Sequence, residues 1–428
     1  MNISNNQIDK LLNELLSLHP KKIDLSLGRI KNLLTKLDNP EYKIKNILHI
    51  AGTNGKFSTL KFIQEILRYS NYSTNAYISP HLVRFNERFQ LMDKEVSNEA
   101  LCNVLEKVKN INQNDPITFF EITTAAFFEM ASKNPADFTL LEVGLGGRLD
   151  SSNVITPKIS IISSISMDHQ DFLGDSIQMI AFEKSGIIKN KVPLIIGYQP
   201  YPEAKEILID QAEYKKAPVF AHGIHWNLIE YKNSLIYQDN QNEIKFNNLE
   251  KHNNFQKKNL GLAIATLSKL PLNNISSFFS KDLHNKINFP GRMEKITKGP
   301  LVSILDPSNE LYVDGSHNED AARNLNSSLN QLPQKKLCII LGMINTKDPI
   351  SYLGQFTNID ALTVITIPDE ENAISSSELR SKLKRYYKNI NEANSVKDAL
   401  KSINHNCKNV RILICGSLYL AGKVLSMN

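Results

Sequence analysis

The sequence predicts an α/β protein of two domains: a mostly parallel sheet domain over residues 1–288, then a smaller α/β domain over 289–428. Three observations carry this. Short apolar runs alternate with stretches of helical periodicity, which is the pattern of a parallel sheet with crossover helices. At residues 46–59 one such run, Ile47 to Ala51, meets the tight polar loop Gly52-Thr53-Asn54-Gly55-Lys56, and Leu60, Ile63, Ile66 and Leu67 then fall on one helical face. The alternation breaks over Asn285–Arg292, with Pro290-Gly291, the expected interdomain linker, and restarts beyond it.

Length and composition bound the function. The 428 residues are enough for two cores. An apolar content of 41% with 22% charged residues is that of a globular protein. The net charge of +6 is spread along the chain, which excludes a nucleic-acid tract and suits small anionic substrates. Four cysteines without a C-x-x-C spacing argue against a zinc site or a disulfide framework. No apolar run approaches membrane-spanning length and the first residues are polar. A cytoplasmic protein with no membrane or nucleic-acid partner is expected, and a monomer.

Taken in order, Ser4 is placed to cap a first helix that buries Ile8, Leu11, Leu12 and Leu15. Residues 23–37 read as a loop and a second helix. After the central loop and its helix, residues 73–79 read as a strand stopped by Pro80. Ser97 caps a helix with Leu101, Val104, Leu105 and Val108 inward, and residues 118–132 form an aromatic-rich helix. Residues 138–141 are a strand closing on Glu142, and 159–166 another ending near Asp168-His169. Residues 225–252 alternate weakly and read as small antiparallel strands at the edge of the first domain. A helix over about 254–267 precedes the linker. The second domain has strands near 311–314, 336–342, 360–366 and 410–415.

A strand, a glycine loop, a lysine and a helix form a geometry that holds phosphates, because backbone N–H groups and the helix N-terminus face the anion. The strict G-x-x-x-x-G-K-[ST] pattern is not met: Ile50 stands where the first glycine belongs and Phe57 follows the lysine. Taken alone, the loop fits a phosphate site and an ordinary Gly/Asn turn equally well. In open α/β sheets ligands bind beyond the carboxyl ends of the strands, and Lys56, Ser79, Glu142 and His169 each follow a strand in this reading. Ser, Glu and His are oxygen and nitrogen ligands suited to a divalent cation beside phosphates. Each also has an ordinary reading, as loop histidine, turn serine or rim carboxylate. Asp314 and His317 fit turn chemistry before a helix, and Arg292 fits a linker salt bridge.

The order of the blocks goes further. It runs through Ile23-Asp24-Leu25, Ala51 to Lys56, and residues 79–88, 118–123 and 142–150, then Asn153, residues 168–174 and 182–187, Gln256 and Asn259. It continues in the second domain through residues 290–294 and 314–318, Lys347-Asp348 and residues 416–419. In this order they resemble the folylpolyglutamate synthases, including the bifunctional dihydrofolate synthases, of the wider Mur ligase family. The resemblance implies a P-loop-containing first domain, a Rossmann-like α/β second domain, and an ATP- and Mg²⁺-dependent ligase that adds L-glutamate to dihydropteroate or a reduced folate through an acyl phosphate.

It implies roles residue by residue. Thr53, Asn54, Gly55, Lys56 and Ser58 cradle the phosphates of ATP. Asn259, Arg292, Asp314 and His317 complete the nucleotide contacts. Ser79 and Glu142 hold one Mg²⁺, and Glu142 with His169 a second. Lys184 is carbamylated by CO₂. Leu25, Ser26, Leu27, Thr118, Phe119, Phe120, Glu121, Leu149, Asp150 and Ser151 meet the pterin and folate. Lys56, His169, Lys184 and Arg292 are the catalytic set. The sequence departs from the pattern at Phe57, where glycine is usual; at Ser26 and Gly28, where Gly and Glu are usual; and at Ser316 and Glu319, in place of Ala and Pro. Two rivals stay open: a peptidoglycan-type Mur ligase acting on a UDP-linked substrate, and a degenerate nucleotide-binding protein without ligase activity.

Overall fold

The structure, a computed structural model, describes residues 5–21, 23–231, 234–247, 252–272 and 283–428. These fall into two compact units, one of residues up to 166 with 170–287 and one of residues 167–169 with 288–428. Ser4, expected to cap the first helix, lies outside the described residues. That helix, Asn5–Leu16, buries Ile8, Leu11 and Leu15, while Leu12 is half-buried against the same cluster.

The first unit is built on an eight-stranded sheet. Its strands are β1 (Ile47–Ala51), β2 (Thr74–Tyr77), β3 (Phe89–Leu91), β4 (Lys94–Glu95), β5 (Phe138–Glu142), β6 (Ile159–Ile162), β7 (Leu194–Ile196) and β8 (Val219–Ala221). They lie in the order β4-β3-β2-β5-β1-β6-β7-β8, parallel except for the hairpin edge β2-β3-β4. The burial of every residue of β1, β5 and β6 follows from the apolar runs, since a parallel strand is covered on both faces. In register, Ile50 of β1 stands beside Glu142 of β5, and Ala51 beside Ile162 of β6. The carboxyl ends of β1, β2 and β5 therefore reach one rim.

Two expectations change at that rim. The strand expected over 159–166 stops at Ile162. Beyond it Ser164 accepts backbone hydrogen bonds from Thr53 (2.8 Å) and Asn54 (3.3 Å), so this segment pairs with the glycine loop instead of continuing the ladder. The strand expected over 73–79 ends at Tyr77, before Pro80. The weakly alternating stretch forms a separate three-stranded antiparallel sheet in this unit, of β9 (Trp226–Tyr231), β10 (Ser234–Asp239) and β11 (Glu243–Asn247).

The second unit has a six-stranded sheet of β12 (Glu294–Ile296), β13 (Glu310–Val313), β14 (Lys336–Leu341), β15 (Ala361–Val364), β16 (Ile390–Glu392) and β17 (Val410–Cys415). The order is β12-β13-β17-β14-β15-β16, with β12 antiparallel to β13 and the other pairs parallel. Helices Glu319–Leu329 and Ser376–Leu383 contribute Ala322, Leu325, Leu379 and Leu383 to its core.

Candidate active site

The loop after β1 is shaped by two glycines at positive φ, Gly52 at 149° and Gly55 at 92°. A side chain at Gly55 is excluded twice, by its φ and by Asn259, whose Oδ1 would lie 2.4 Å from an added Cβ. Gly55 is also the N-cap of helix Lys56–Tyr69 and provides no side-chain cap, so the first-turn N–H groups keep their donors for another partner. Phe57 lies within this first turn without a positive φ, and Ser58 is buried behind it. Thr53 is tied down by its hydroxyl, which bonds Ser166 O at 3.1 Å.

Two lysines converge on the loop. Lys56 Nζ donates to Gly52 O (3.1 Å) and Thr53 O (3.4 Å) and lies 4.0 Å from Glu142 Oε1. Lys184, buried in helix Ile177–Ser185, donates to the same Gly52 O at 3.1 Å. Glu142 closes β5 and accepts from Ser79 N at 3.3 Å. The Ser79 hydroxyl oxygen is buried and has no protein partner, and the same holds for Asn259 Nδ2. The structure thus brings together Lys56, Ser79, Glu142 and Lys184, together with Asn259, around the loop.

The donor set fits a Mg²⁺ ion held jointly with phosphate. A partnerless serine hydroxyl and a carboxylate are hard oxygen ligands, and Mg²⁺ usually keeps water and substrate phosphate for the rest of its shell. Among the described residues no group of three or more His, Cys, Asp and Glu gathers.

The residues expected to meet the pterin form a second cluster in the same unit. Thr118 caps helix Phe119–Lys133 in a capping box with Glu121, whose Oε2 accepts from Thr118 N and Oγ1 at 2.8 Å each. The same oxygen accepts from Arg29 Nε at 3.0 Å, and Arg29 in turn bonds Asp24. Arg29, which the sequence reading passed over, thereby fastens the half-buried loop of Leu25, Ser26 and Leu27 to the helix cap. Glu121 Oε1 stays buried without a partner. Phe119 packs edge-on to Phe85 (5.6 Å) and Phe120 leans on Tyr77 (5.9 Å).

Leu149 is half-buried, whereas Asp150 and Ser151 turn inward. Asp150 Oδ2 accepts from Gly144 N (3.1 Å) and Leu145 N (2.9 Å), and Oδ1 accepts from Ser152 N (2.9 Å) and the Ser152 hydroxyl. Burial pushes the Asp150 carboxyl up, against these hydrogen bonds, which favour the anion. Ser151 Oγ meets Thr124 Oγ1 at 2.8 Å.

The remaining candidates lie in the second unit. Asp314, at the end of β13, accepts from Met293 N and Ser316 N at 2.7 Å each, and the Arg292 guanidinium lies against Gly315. His169, at a left-handed φ of 51°, belongs here by its contacts. So does Asp168, which the sequence reading did not single out. Its carboxylate takes Lys347, His317 Nε2 (3.3 Å) and Asn318 Nδ2 (3.1 Å). Burial alone would raise its pKa; the hydrogen bond and charge of His317 and the charges of Lys347 and His169 outweigh that and hold it well below the usual carboxylate range.

Residues 50–276 match the Mur ligase middle domain, and residues 301–427 match the dihydrofolate synthetase C-terminal domain. A dihydrofolate synthase/folylpolyglutamate synthase of Haemophilus influenzae is 32% identical over 418 residues, covering 94% of this chain and 93% of that protein. The chain belongs to the dihydrofolate synthase/folylpolyglutamate synthase family. With that family it is an ATP-dependent ligase. The solved structures agree in fold. FolC of E. coli in complex with DHPP and ADP superposes with a TM-score of 0.85 at 26% identity, over 98% of this chain and 97% of that one. A bifunctional folylpolyglutamate synthase/dihydrofolate synthase with Mn, AMPPNP and L-glutamate bound gives 0.83 at 25% identity, with the same coverage.

Proposed function

We propose that this family member joins L-glutamate to dihydropteroate, to a reduced folate, or to both, as a dihydrofolate synthase/folylpolyglutamate synthase. The observation that carries the reading is the rim around Gly52, where an uncapped helix N-terminus, Lys56, Lys184, Glu142 and the partnerless Ser79 hydroxyl meet. That is an anion receptor with an oxygen-donor cation position beside it. Relatives with a nucleotide, a divalent metal, L-glutamate or DHPP bound support it.

In this reading the γ-phosphoryl of ATP passes to the acceptor carboxylate, and the glutamate amine displaces phosphate from the acyl phosphate. Little covalent chemistry falls to the protein, and positioning with charge neutralisation does most of the work. Thr53, Asn54, Gly55, Lys56 and Ser58 hold the phosphates, and Lys56 carries positive charge to the transferring group. Ser79 and Glu142 would hold a Mg²⁺, which would neutralise phosphate charge. A second Mg²⁺ on Glu142 and His169, and nucleotide contacts from Asn259, Arg292, Asp314 and His317, are assigned from the resemblance. Leu25–Leu27, Thr118–Glu121 and Leu149–Ser151 are the acceptor side.

Lys184 is proposed to work as a carbamate. Its amine adds to CO₂ and loses one proton, giving an anionic oxygen group that suits a cationic neighbourhood better than an ammonium does. The carbamate nitrogen keeps one N–H, enough for the bond to Gly52 O. We also propose that the protein acts in the cytoplasm as a monomer.

The test is ATP-dependent phosphate release with L-glutamate, measured with dihydropteroate, tetrahydrofolate and a UDP-linked muramyl acceptor. Release with a folate-type acceptor supports the reading. Release with the muramyl acceptor points to the peptidoglycan rival, and none with any acceptor to a degenerate nucleotide-binding protein.

A further inference from the structure

Beneath the glycine turn that follows Glu142 lies a polar chain of which the proposed function uses only the Asp150 end. His49, fully buried on the central strand β1, has Nε2 2.9 Å from Ser152 Oγ. The Ser152 hydroxyl donates to Asp150 Oδ1, and Asp150 Oδ2 gathers the N–H groups of Gly144 and Leu145. The chain thus runs from the middle of the sheet to the turn between Glu142 and the Leu149–Ser151 segment.

Proton counting fixes its state. Asp150 accepts four hydrogen bonds, which fill both oxygens and mark it as the anion. The single Ser152 hydroxyl proton goes to that anion, so toward His49 the serine oxygen can only accept. His49 Nε2 must therefore carry the hydrogen, and Nδ1 is bare. Nδ1 is the nitrogen that is buried without a partner, as this tautomer leaves it. Burial, with the charge of Lys189 adding to it, pushes the imidazole down to about 3 and keeps it neutral.

We infer that His49 is a positioning residue for the folate-type substrate: through Ser152 and Asp150 it sets the 144–150 turn on which the acceptor-side segment is carried. This rests on the ligase reading above. The nucleotide loop does not depend on the chain in the same way, because the contacts that hold it, to Ser164, Ser166, Asn259 and Lys184, involve no member of the chain. An effect of His49 therefore separates acceptor from nucleotide.

The experiment has two arms. In the first, His49→Phe keeps a ring but removes the donor, and His49→Gln returns an amide N–H near the Nε2 position. His49→Phe is expected to raise the acceptor KM about tenfold, as for one lost buried hydrogen bond, with the ATP KM within about twofold; His49→Gln recovers most of the loss. Ser152→Ala, which cuts the chain in the middle and leaves the ring in place, gives the same split and stands in if His49→Phe does not fold. An unchanged acceptor KM in Ser152→Ala, or an equal rise in the ATP KM, overturns the inference. In the second arm, ¹⁵N-histidine spectra of the wild-type protein at neutral pH are expected to show His49 as the neutral Nε2–H tautomer. An Nδ1–H tautomer or an imidazolium overturns it. This arm needs no turnover, so it stands even if the ligase reading fails in the acceptor assay.

Discussion

Each unit carries a strand, a tight turn and a helix in succession, and the two turns solve the helix N-terminus differently. In the first unit β1 leads through Gly52 to Gly55 into helix Lys56–Tyr69, whose N-cap glycine provides no acceptor. In the second, β13 leads through Asp314 to Asn318 into helix Glu319–Leu329, and the Asn318 side chain accepts from Ala321 N. The first turn leaves its backbone donors uncapped and sets a lysine beside them. The second closes its own helix and offers carboxylate, imidazole and amide side chains. The same strand–turn–helix plan gives a turn with uncapped backbone donors, suited to an anion, or a self-capped turn according to the residue at the N-cap.

The largest effect expected from this contrast is at Lys56. Lys56→Ala should lower glutamate-dependent phosphate release by about 10²–10³, the loss typical of removing one preorganised charge, with stability in urea little changed. Retention of more than half the activity would place the anion elsewhere.

Acid separates the two units next. Burial pushes His49 down to about 3, and burial with Arg88 does the same to His81, both in the first unit. Below about 6.5 the unfolded histidines take up protons that the folded ones do not. The first unit therefore loses stability as pH falls from 6.5 toward 3, by about 1.4 kcal/mol per pH unit for each histidine. Asp168 in the second unit is depressed instead, so its contribution is present above its ordinary 3.8 and is lost only as pH falls through its lower folded value. Urea unfolding followed by Trp226, the single tryptophan and a first-unit residue, should shift to lower midpoint between pH 6.5 and 5. A flat midpoint would contradict it.

Asn318→Ala should cost about 1–2 kcal/mol, the usual price of a lost N-cap, read from urea unfolding of the second unit by hydrogen exchange. An unchanged stability with abolished turnover would make this turn a ligand receptor like the first.

These contrasts also show what the sequence could disclose. The strand, glycine turn and helix over 46–59 and the helix that starts at Thr118 were readable because local periodicity and turn chemistry determine both. The short strands β3, β4, β7 and β8 were not, since two to three residues carry no period. The premature end of β6 depends on the glycine loop more than a hundred residues earlier. Asp168 finds Lys347 and His317 across 179 and 149 residues, a pairing that no spacing rule reaches. The inward turn of Asp150 was hidden for a related reason: a carboxylate after a glycine turn reads the same whether it faces a ligand or its own backbone.

The smallest effect is expected at Phe57. It sits in a helical turn without positive φ, so the glycine usual there is not required. Phe57→Gly should leave ATP affinity by calorimetry within about twofold and cost up to about 1 kcal/mol of helix stability. Binding gained in the variant and absent in the wild type would contradict this.

The central claim is that the anion receptor of the first unit delivers the γ-phosphoryl of ATP to a substrate carboxylate. It is tested most directly with a dihydropteroate or tetrahydrofolate acceptor whose reacting carboxylate is labelled with ¹⁸O. Passage through an acyl phosphate requires one labelled oxygen to leave in the released phosphate for each amide formed. Phosphate free of label, with amide product formed at the same rate, would contradict the account.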